Sequence, residues 1–364
     1  MSNSSNLSDL SEAGVSIWLD DLSRDRLQSG SLQKLIHESQ VVGVTTNPSI
    51  FSAAISHSTL YREDILALKA EGRSASEIVT ELTTSDVRQA CDLFMPTFLA
   101  SSQVDGRVSI EVDPQLAYET SETVERGLYL ASLVNRPNLL IKVPATIEGL
   151  PAIEELTAQG ISVNVTLIFS VDRYRQVIDS YLRGLERRVG RGAAINEIHS
   201  VASFFISRID AEIDKRLDAT EPGSPLRGVA ALANAHLAYE AFLEVSRSER
   251  WKKLAAAGAN LQRPLWASTG VKDPSYESTR YVIELVAPNC VNTMPEGTLN
   301  EVREKGIVRG DTITLEFAHA KKVFANLTLA GIDINEVVAL LEDDGVAKFG
   351  KAWEELLTTI EAVA

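Results

Sequence analysis

Cysteine is scarce in this chain: there are two in 364 residues, Cys91 and Cys290. Their spacing suits neither a metal ligand set nor a disulfide framework, so both are expected in the core of a protein from a reducing compartment. Basic charge is short as well, with 35 Lys and Arg against 50 Asp and Glu and a net charge of -15. No basic run could follow a phosphate backbone, which excludes nucleic acid as a partner. Long apolar stretches are missing. Nowhere do 18 apolar residues follow one another, and the opening "MSNSSNLSDLSEAG" has neither a basic nor an apolar leader segment. No membrane is expected, and the location is read as cytoplasmic. No G-x-G-x-x-G turn follows any apolar run, which argues against an open dinucleotide-binding sheet. The five histidines (His37, His57, His199, His236, His319) do not cluster with carboxylates at ligand spacing, so no metal site is expected.

What is present is 45% apolar residues, enough for a packed core. Eight short apolar runs recur along the chain: 15–21, 41–46, 107–113, 138–144, 161–169, 199–205, 263–269 and 290–295. Stretches of helical period separate them, such as 116–134 and 170–189, the latter opening on Ser170 as an N-cap. Strand and helix in alternation mean parallel pairing, and eight such units predict an α/β protein of the (β/α)8 TIM-barrel type. Segments 52–100 and 206–262 are long enough to add helices between strands. After residue 300 only helix is expected: Asp333 with Glu336 fits a capping box, and Val346, Phe349, Trp353, Leu356 and Ile360 share one face. Residues 1–364 are read as one barrel domain, with the helices of 300–364 packed on its outside or across its mouth.

The run "NLLIKVPAT" (138–146) carries a lysine, Lys142, among strand-forming apolar residues. A cation withdrawn from water costs several kcal/mol unless it is paired or loses its proton. Successive strand residues face opposite sides. In "RVSIEVD", Val108, Ile110 and Val112 take one side, while Arg107, Ser109, Glu111 and Asp113 take the other; in "ISVNVTLIF", Ile161, Val163, Val165 and Leu167 oppose Ser162, Asn164 and Thr166. With helices covering the outside, the polar parity points into the barrel. Extended to the other strands, it brings Asp20, Asn47, Glu111, Lys142, Asn164, Thr166 and Ser268 toward the C-terminal strand ends, where barrel enzymes place their chemistry. A desolvated lysine amine can attack a carbonyl and form a Schiff base, and neighbouring carboxylates can move the protons. Two plainer readings stand beside this one: a buried ion pair of Lys142 with Glu111 or Asp20, and a sugar-binding barrel without catalysis.

Five blocks in order, "GVTTNPSIF" (43–51), "SIEVDP" (109–114), "LIKVPAT" (140–146), "SVNVTLIFS" (162–170) and "ASFFISRID" (202–210), resemble the signature blocks of the transaldolases. The resemblance runs from about residue 14 to the end. It implies a (β/α)8 barrel without a cofactor that transfers a dihydroxyacetone unit between ketose and aldose phosphates, such as sedoheptulose 7-phosphate and glyceraldehyde 3-phosphate. By motif, Lys142 matches the Schiff-base lysine, Glu111 an acid/base acting through a water near Thr166, and Asp20 the acid/base of the aldol step. Thr46, Asn47 and Asn164 match donor-binding positions, and Ser203, Phe205 and Arg208 the sixth-strand block, with Arg208 on phosphate. The seventh strand departs from the pattern: in "WASTGVKDPSY" (266–276) the arginine is missing, leaving Ser268, Thr269 and Lys272 as donors, of which Ser268 and Lys272 are read as phosphate ligands. "NTMP" (292–295) is expected to line the pocket. Related fructose 6-phosphate aldolases, which release free dihydroxyacetone, are shorter and tend to carry glutamine and tyrosine at the positions of Glu111 and Phe205. The resemblance implies sugar phosphates as the small-molecule partners. Oligomeric state is left open, a homodimer included.

Overall fold

The computed structural model describes residues 6–220 and 222–363. Each apolar run forms a strand: β1 (Val15–Leu19), β2 (Val41–Val44), β3 (Arg107–Glu111), β4 (Leu139–Pro144), β5 (Val163–Ile168), β6 (Ser200–Phe205), β7 (Gln262–Ala267) and β8 (Cys290–Met294). Neighbours in sequence pair in parallel and β8 closes on β1, giving an eight-stranded barrel. Six of the strands end one or two residues before their apolar runs do, whereas β4 and β6 end with theirs, at Pro144 and Phe205.

The barrel interior is filled from below. Ser16, Trp18 and Asp20 face inward from β1, and the Trp18 indole lies so close to Gly43 that a Cβ there would meet its ring at 2.5 Å. Any larger residue at 43 would evict the ring that plugs the barrel. Beneath it, Arg263 pairs with Asp105 at 2.9 Å and donates to Ser16 Oγ at 2.8 Å. Cys91 and Cys290 are free thiols, both fully buried, as core packing requires.

Local signals account for the helices. Ser170 accepts from the Arg173 amide at 3.1 Å and starts the helix Val171–Gly190, which buries Tyr174, Val177, Ile178, Tyr181 and Leu185 along one stripe. The helix expected from 116 begins at Thr120 instead, because Pro114–Leu116 close a 3-10 turn whose Leu116 carbonyl takes the Thr123 hydroxyl at 2.8 Å. The long connections hold a 26-residue helix, Ala75–Ala100, and the helices Ser207–Thr220, Ala230–Ser246 and Glu249–Ala256.

Asp333 caps the last helix, Ile334–Ala362, by accepting from Asn335 and Glu336 amides. The capping box is half made, since the Glu336 side chain turns to Arg216. The tail takes both placements expected of it: this helix brings Phe349 to the cavity at the mouth, while Phe317–Leu329 packs on the outer helix Ala230–Ser246. Among the described residues no single helix is long and apolar enough to cross a membrane.

Candidate active site

Strand register places the polar residues. Glu111 on β3 stands beside Lys142 on β4, which stands beside Asn164 on β5, and Pro144 beside Thr166. Lys142 is 4% exposed. Its Nζ donates to the Thr46 carbonyl at 3.0 Å and pairs with Glu111 Oε2 at 3.1 Å. One partner, Glu111, sits on the adjacent strand β3, and the other, Thr46, lies two residues past the end of β2, so a strand and the loop that follows another strand hold the amine in place together.

Around it lies a cavity of about 190 Å³ at the C-terminal mouth, lined by Asp20, Asn47, Lys142, Thr166, Ser203, Phe205, Arg208, Ser268 and Lys272, with Thr45, Thr293 and Phe349. A larger cleft at the opposite end of the barrel, about 590 Å³ and bordered by Phe98, Leu99, Arg136 and Glu197, has no lysine among its lining residues. Volume alone does not locate the chemistry.

Burial raises the Asp20 carboxyl pKa, opposed by the charge of Lys142 and the hydrogen bond from Thr45. Glu111 is raised for the same reason and is likewise opposed by Lys142. Two carboxyl groups poised above their ordinary range beside one amine form a proton-exchanging set. Glu111 Oε2 and Thr166 Oγ1 are both buried without a well-aligned hydrogen-bond partner, leaving polar valence free next to the lysine.

Arg208 opens the helix Ser207–Thr220. Its guanidinium lies 5.0 Å from the Phe205 ring centre, its Nη1 is buried without a partner, and burial lowers its pKa against the pull of Asp344 and Asp20. An arginine nitrogen unpartnered at the edge of a cavity is a donor for an anion. Ser268 and Lys272 line the same cavity, and the Ser268 hydroxyl lies 3.0 Å from that of Ser207.

Several positions differ from strict alternation. Ala267 is the inward residue at the end of β7, and Ser268 reaches the mouth only because its backbone is left-handed, φ 56°. Leu167 also turns, with φ 59° beside a register shift in β5, and meets Gly345 of the C-terminal helix instead of the outer helices. Asp113 lies past the end of β3 and pairs with Arg126 at 2.9 Å, outside the barrel.

Not every residue expected on substrate lines the cavity. Asn164 is fully buried below it, donating to Ser109 Oγ at 2.9 Å and accepting from Ser203 Oγ at 2.7 Å. Thr46 is also sealed, its hydroxyl on the Ser109 carbonyl at 2.7 Å and its own carbonyl on Lys142. Both brace the cavity floor. Asn47 does line the cavity, although its Oδ1 caps the helix Pro48–His57 by accepting from the Ile50 amide at 3.0 Å. Thr293 and Pro295 of "NTMP" line it as expected, whereas Thr269 turns its hydroxyl to the Thr293 carbonyl at 2.9 Å.

Four lining residues, Thr45, Ala267, Gly270 and Phe349, escaped the sequence reading. Alternation through Val41, Gly43 and Thr45 would have placed Thr45 inside beside Asp20. Phe349 was legible as a buried helix residue, but nothing local says that its ring faces a lysine 207 positions earlier, at 5.6 Å.

Residues 17–360 match the family model described as Transaldolase/Fructose-6-phosphate aldolase. The chain is 57% identical over 360 residues to the transaldolase of Saccharopolyspora erythraea, covering 99% of this chain and 98% of that one. It is 58% identical to the transaldolase of an Arthrobacter species, covering 97% and 95%. Identity to the transaldolase of Mycobacterium tuberculosis is 55%, covering 98% and 96%. A barrel with its lysine and two carboxyl groups at the mouth, matched over nearly its whole length, belongs to the transaldolase/fructose-6-phosphate aldolase family.

Proposed function

We propose that the chain is a transaldolase, moving a dihydroxyacetone unit from a ketose phosphate such as fructose 6-phosphate or sedoheptulose 7-phosphate to an aldose phosphate. The observation that carries this reading is the Lys142–Glu111 contact of 3.1 Å on adjacent strands, at a mouth that also holds Asp20. The Lys142 amine attacks the ketose C2 carbonyl. Glu111 moves protons as the carbinolamine loses water, with the unpartnered Thr166 hydroxyl fitting a water that relays them. The protonated imine draws electrons, Asp20 takes the proton of the C4 hydroxyl, and the C3–C4 bond breaks. The aldose leaves, three carbons stay on Nζ as an enamine, and an acceptor aldehyde takes them in the reverse sequence.

Arg208, with Ser268 and Lys272, would hold the phosphate at the far end. Names of the full-length relatives, together with Glu111 and Phe205 where free-releasing aldolases tend to carry glutamine and tyrosine, support the transferase over the aldolase. A cytoplasmic location accords with phosphorylated sugar substrates. Intact mass after borohydride reduction with fructose 6-phosphate tests the reading. The parent chain should gain a three-carbon adduct that an aldehyde acceptor removes, and Lys142→Met, which fills a similar volume, should gain none. Adduct persisting in Lys142→Met would discard the central assignment.

A further inference from the structure

The C-terminal helix Ile334–Ala362 is tethered along its crossing of the mouth. Arg216 pairs with Glu336 at 3.3 Å, Arg173 with Glu342 at 3.1 Å, and the hydroxyls of Ser56 and Thr359 meet at 3.3 Å. Gly345 lets the helix sink, since a Cβ there would lie 2.8 Å from Leu167 Cδ2 and 3.6 Å from Arg208 Nη1. One turn on, on the same face, Phe349 is 5% exposed and sets its ring 5.6 Å from Lys142 Nζ. An apolar ring is thus delivered to the buried Lys142 amine in a cavity most of whose other lining residues are polar.

We propose that Phe349 keeps bulk water from the nucleophilic carbon of the lysine-bound three-carbon intermediate, and so directs that unit to an aldehyde instead of to release as free dihydroxyacetone. The proposal rests on the Schiff-base reading above. Once the C3–C4 bond has broken, C3 of the enamine has two possible partners. In transfer it attacks the acceptor's carbonyl carbon, a carbon–carbon bond forms and the aldehyde oxygen takes a proton. In release, C3 takes a proton instead.

Both routes then finish alike: water adds to the iminium carbon, the C–N bond breaks, and the lysine amine is regenerated with one water consumed. The branch therefore depends on what reaches C3, and not on hydration of the imine, which Glu111 serves in both. A phenyl ring has no proton to give. Its face favours the cationic imine, and its bulk occupies space through which solvent would approach C3.

Phe349→Ala and Phe349→Leu test this in deuterated water, with fructose 6-phosphate and erythrose 4-phosphate supplied together. Free dihydroxyacetone and transferred ketose are counted in the same samples. In Phe349→Ala the ratio of release to transfer should rise about tenfold, which corresponds to ~1.4 kcal/mol between the two barriers. The released dihydroxyacetone should carry one solvent deuterium on carbon. Phe349→Leu, which keeps apolar packing, should raise the ratio about threefold and decides the matter by itself where the alanine variant does not fold. A ratio equal to the parent's, with the three-carbon adduct still trapped by borohydride, overturns the role of Phe349. Absence of that adduct in the parent overturns the Schiff-base reading beneath it.

Discussion

Thr45 donates its hydroxyl to Asp20 Oδ1 at 2.6 Å and stands 2.6 Å from Thr293 Oγ1, so the carboxyl just past β1 is held by Thr45, which is itself positioned by Thr293 of β8. That bond favours the charged form and works against the burial that raises Asp20. Thr45→Val should move the acid limb of the cleavage rate to higher pH. It should also lower the rate near neutrality about tenfold, since a hydrogen bond to a charged group is worth roughly 1.5–3 kcal/mol. Thr45→Ser should restore both. A pH–rate profile unchanged in Thr45→Val would show that Thr45 does not tune Asp20.

Asp20 and Glu111 should fail at different steps. If Asp20 accepts the C4 hydroxyl proton, it acts after the imine forms, so Asp20→Asn should accumulate fructose 6-phosphate adduct at the parent rate and cleave it roughly 10² to 10⁴ times more slowly. Glu111→Gln should delay the adduct itself. Rapid quenching with borohydride and mass analysis reads the order directly. Slow adduct formation in Asp20→Asn followed by cleavage at the parent rate would reverse the assignment.

Arg208 carries a buried, unpartnered Nη1 at the cavity edge. Arg208→Ala should raise the Michaelis constant for fructose 6-phosphate about 10- to 100-fold, the range for one hydrogen bond to a charged group. Unphosphorylated fructose should be almost unaffected. Equal changes for the two sugars would remove the phosphate from Arg208.

The raised Asp20 carboxyl is also a statement about stability. Its folded pKa lies above the ordinary value of 3.8, so the folded state binds its proton more tightly, and this group's contribution falls as pH rises from 3.8 through the folded value. Asp20→Asn should therefore be more stable than the parent at pH 7 by about 1 kcal/mol, as is common when a functional site is relieved. The gain should vanish below pH 3.8, where the parent carboxyl is protonated in both states. Thermal melting across that range checks the sign, and a variant less stable at pH 7 would contradict it.

Much of this molecule follows from the period of its strands. Alternation alone put Asp20, Glu111, Lys142 and Thr166 inside a barrel, because a strand backbone sends successive side chains to opposite faces and the covering helices claim the apolar one. What alternation could not reach was decided where the backbone leaves the strand. Ser268 and Leu167 turn by left-handed residues that depend on the closed barrel around them. Asn164 and Thr46 were legible as inward or mouth residues, yet only packing reveals that their polar groups are consumed in the floor. Phe349 is the clearest division between the two. Its apolar spacing determined that it would be buried on a helix, while its place above Lys142 came from the tethers and the close approach at Gly345 that lay that helix across the mouth. Helical period specifies which face is hidden and carries no information about which distant surface hides it.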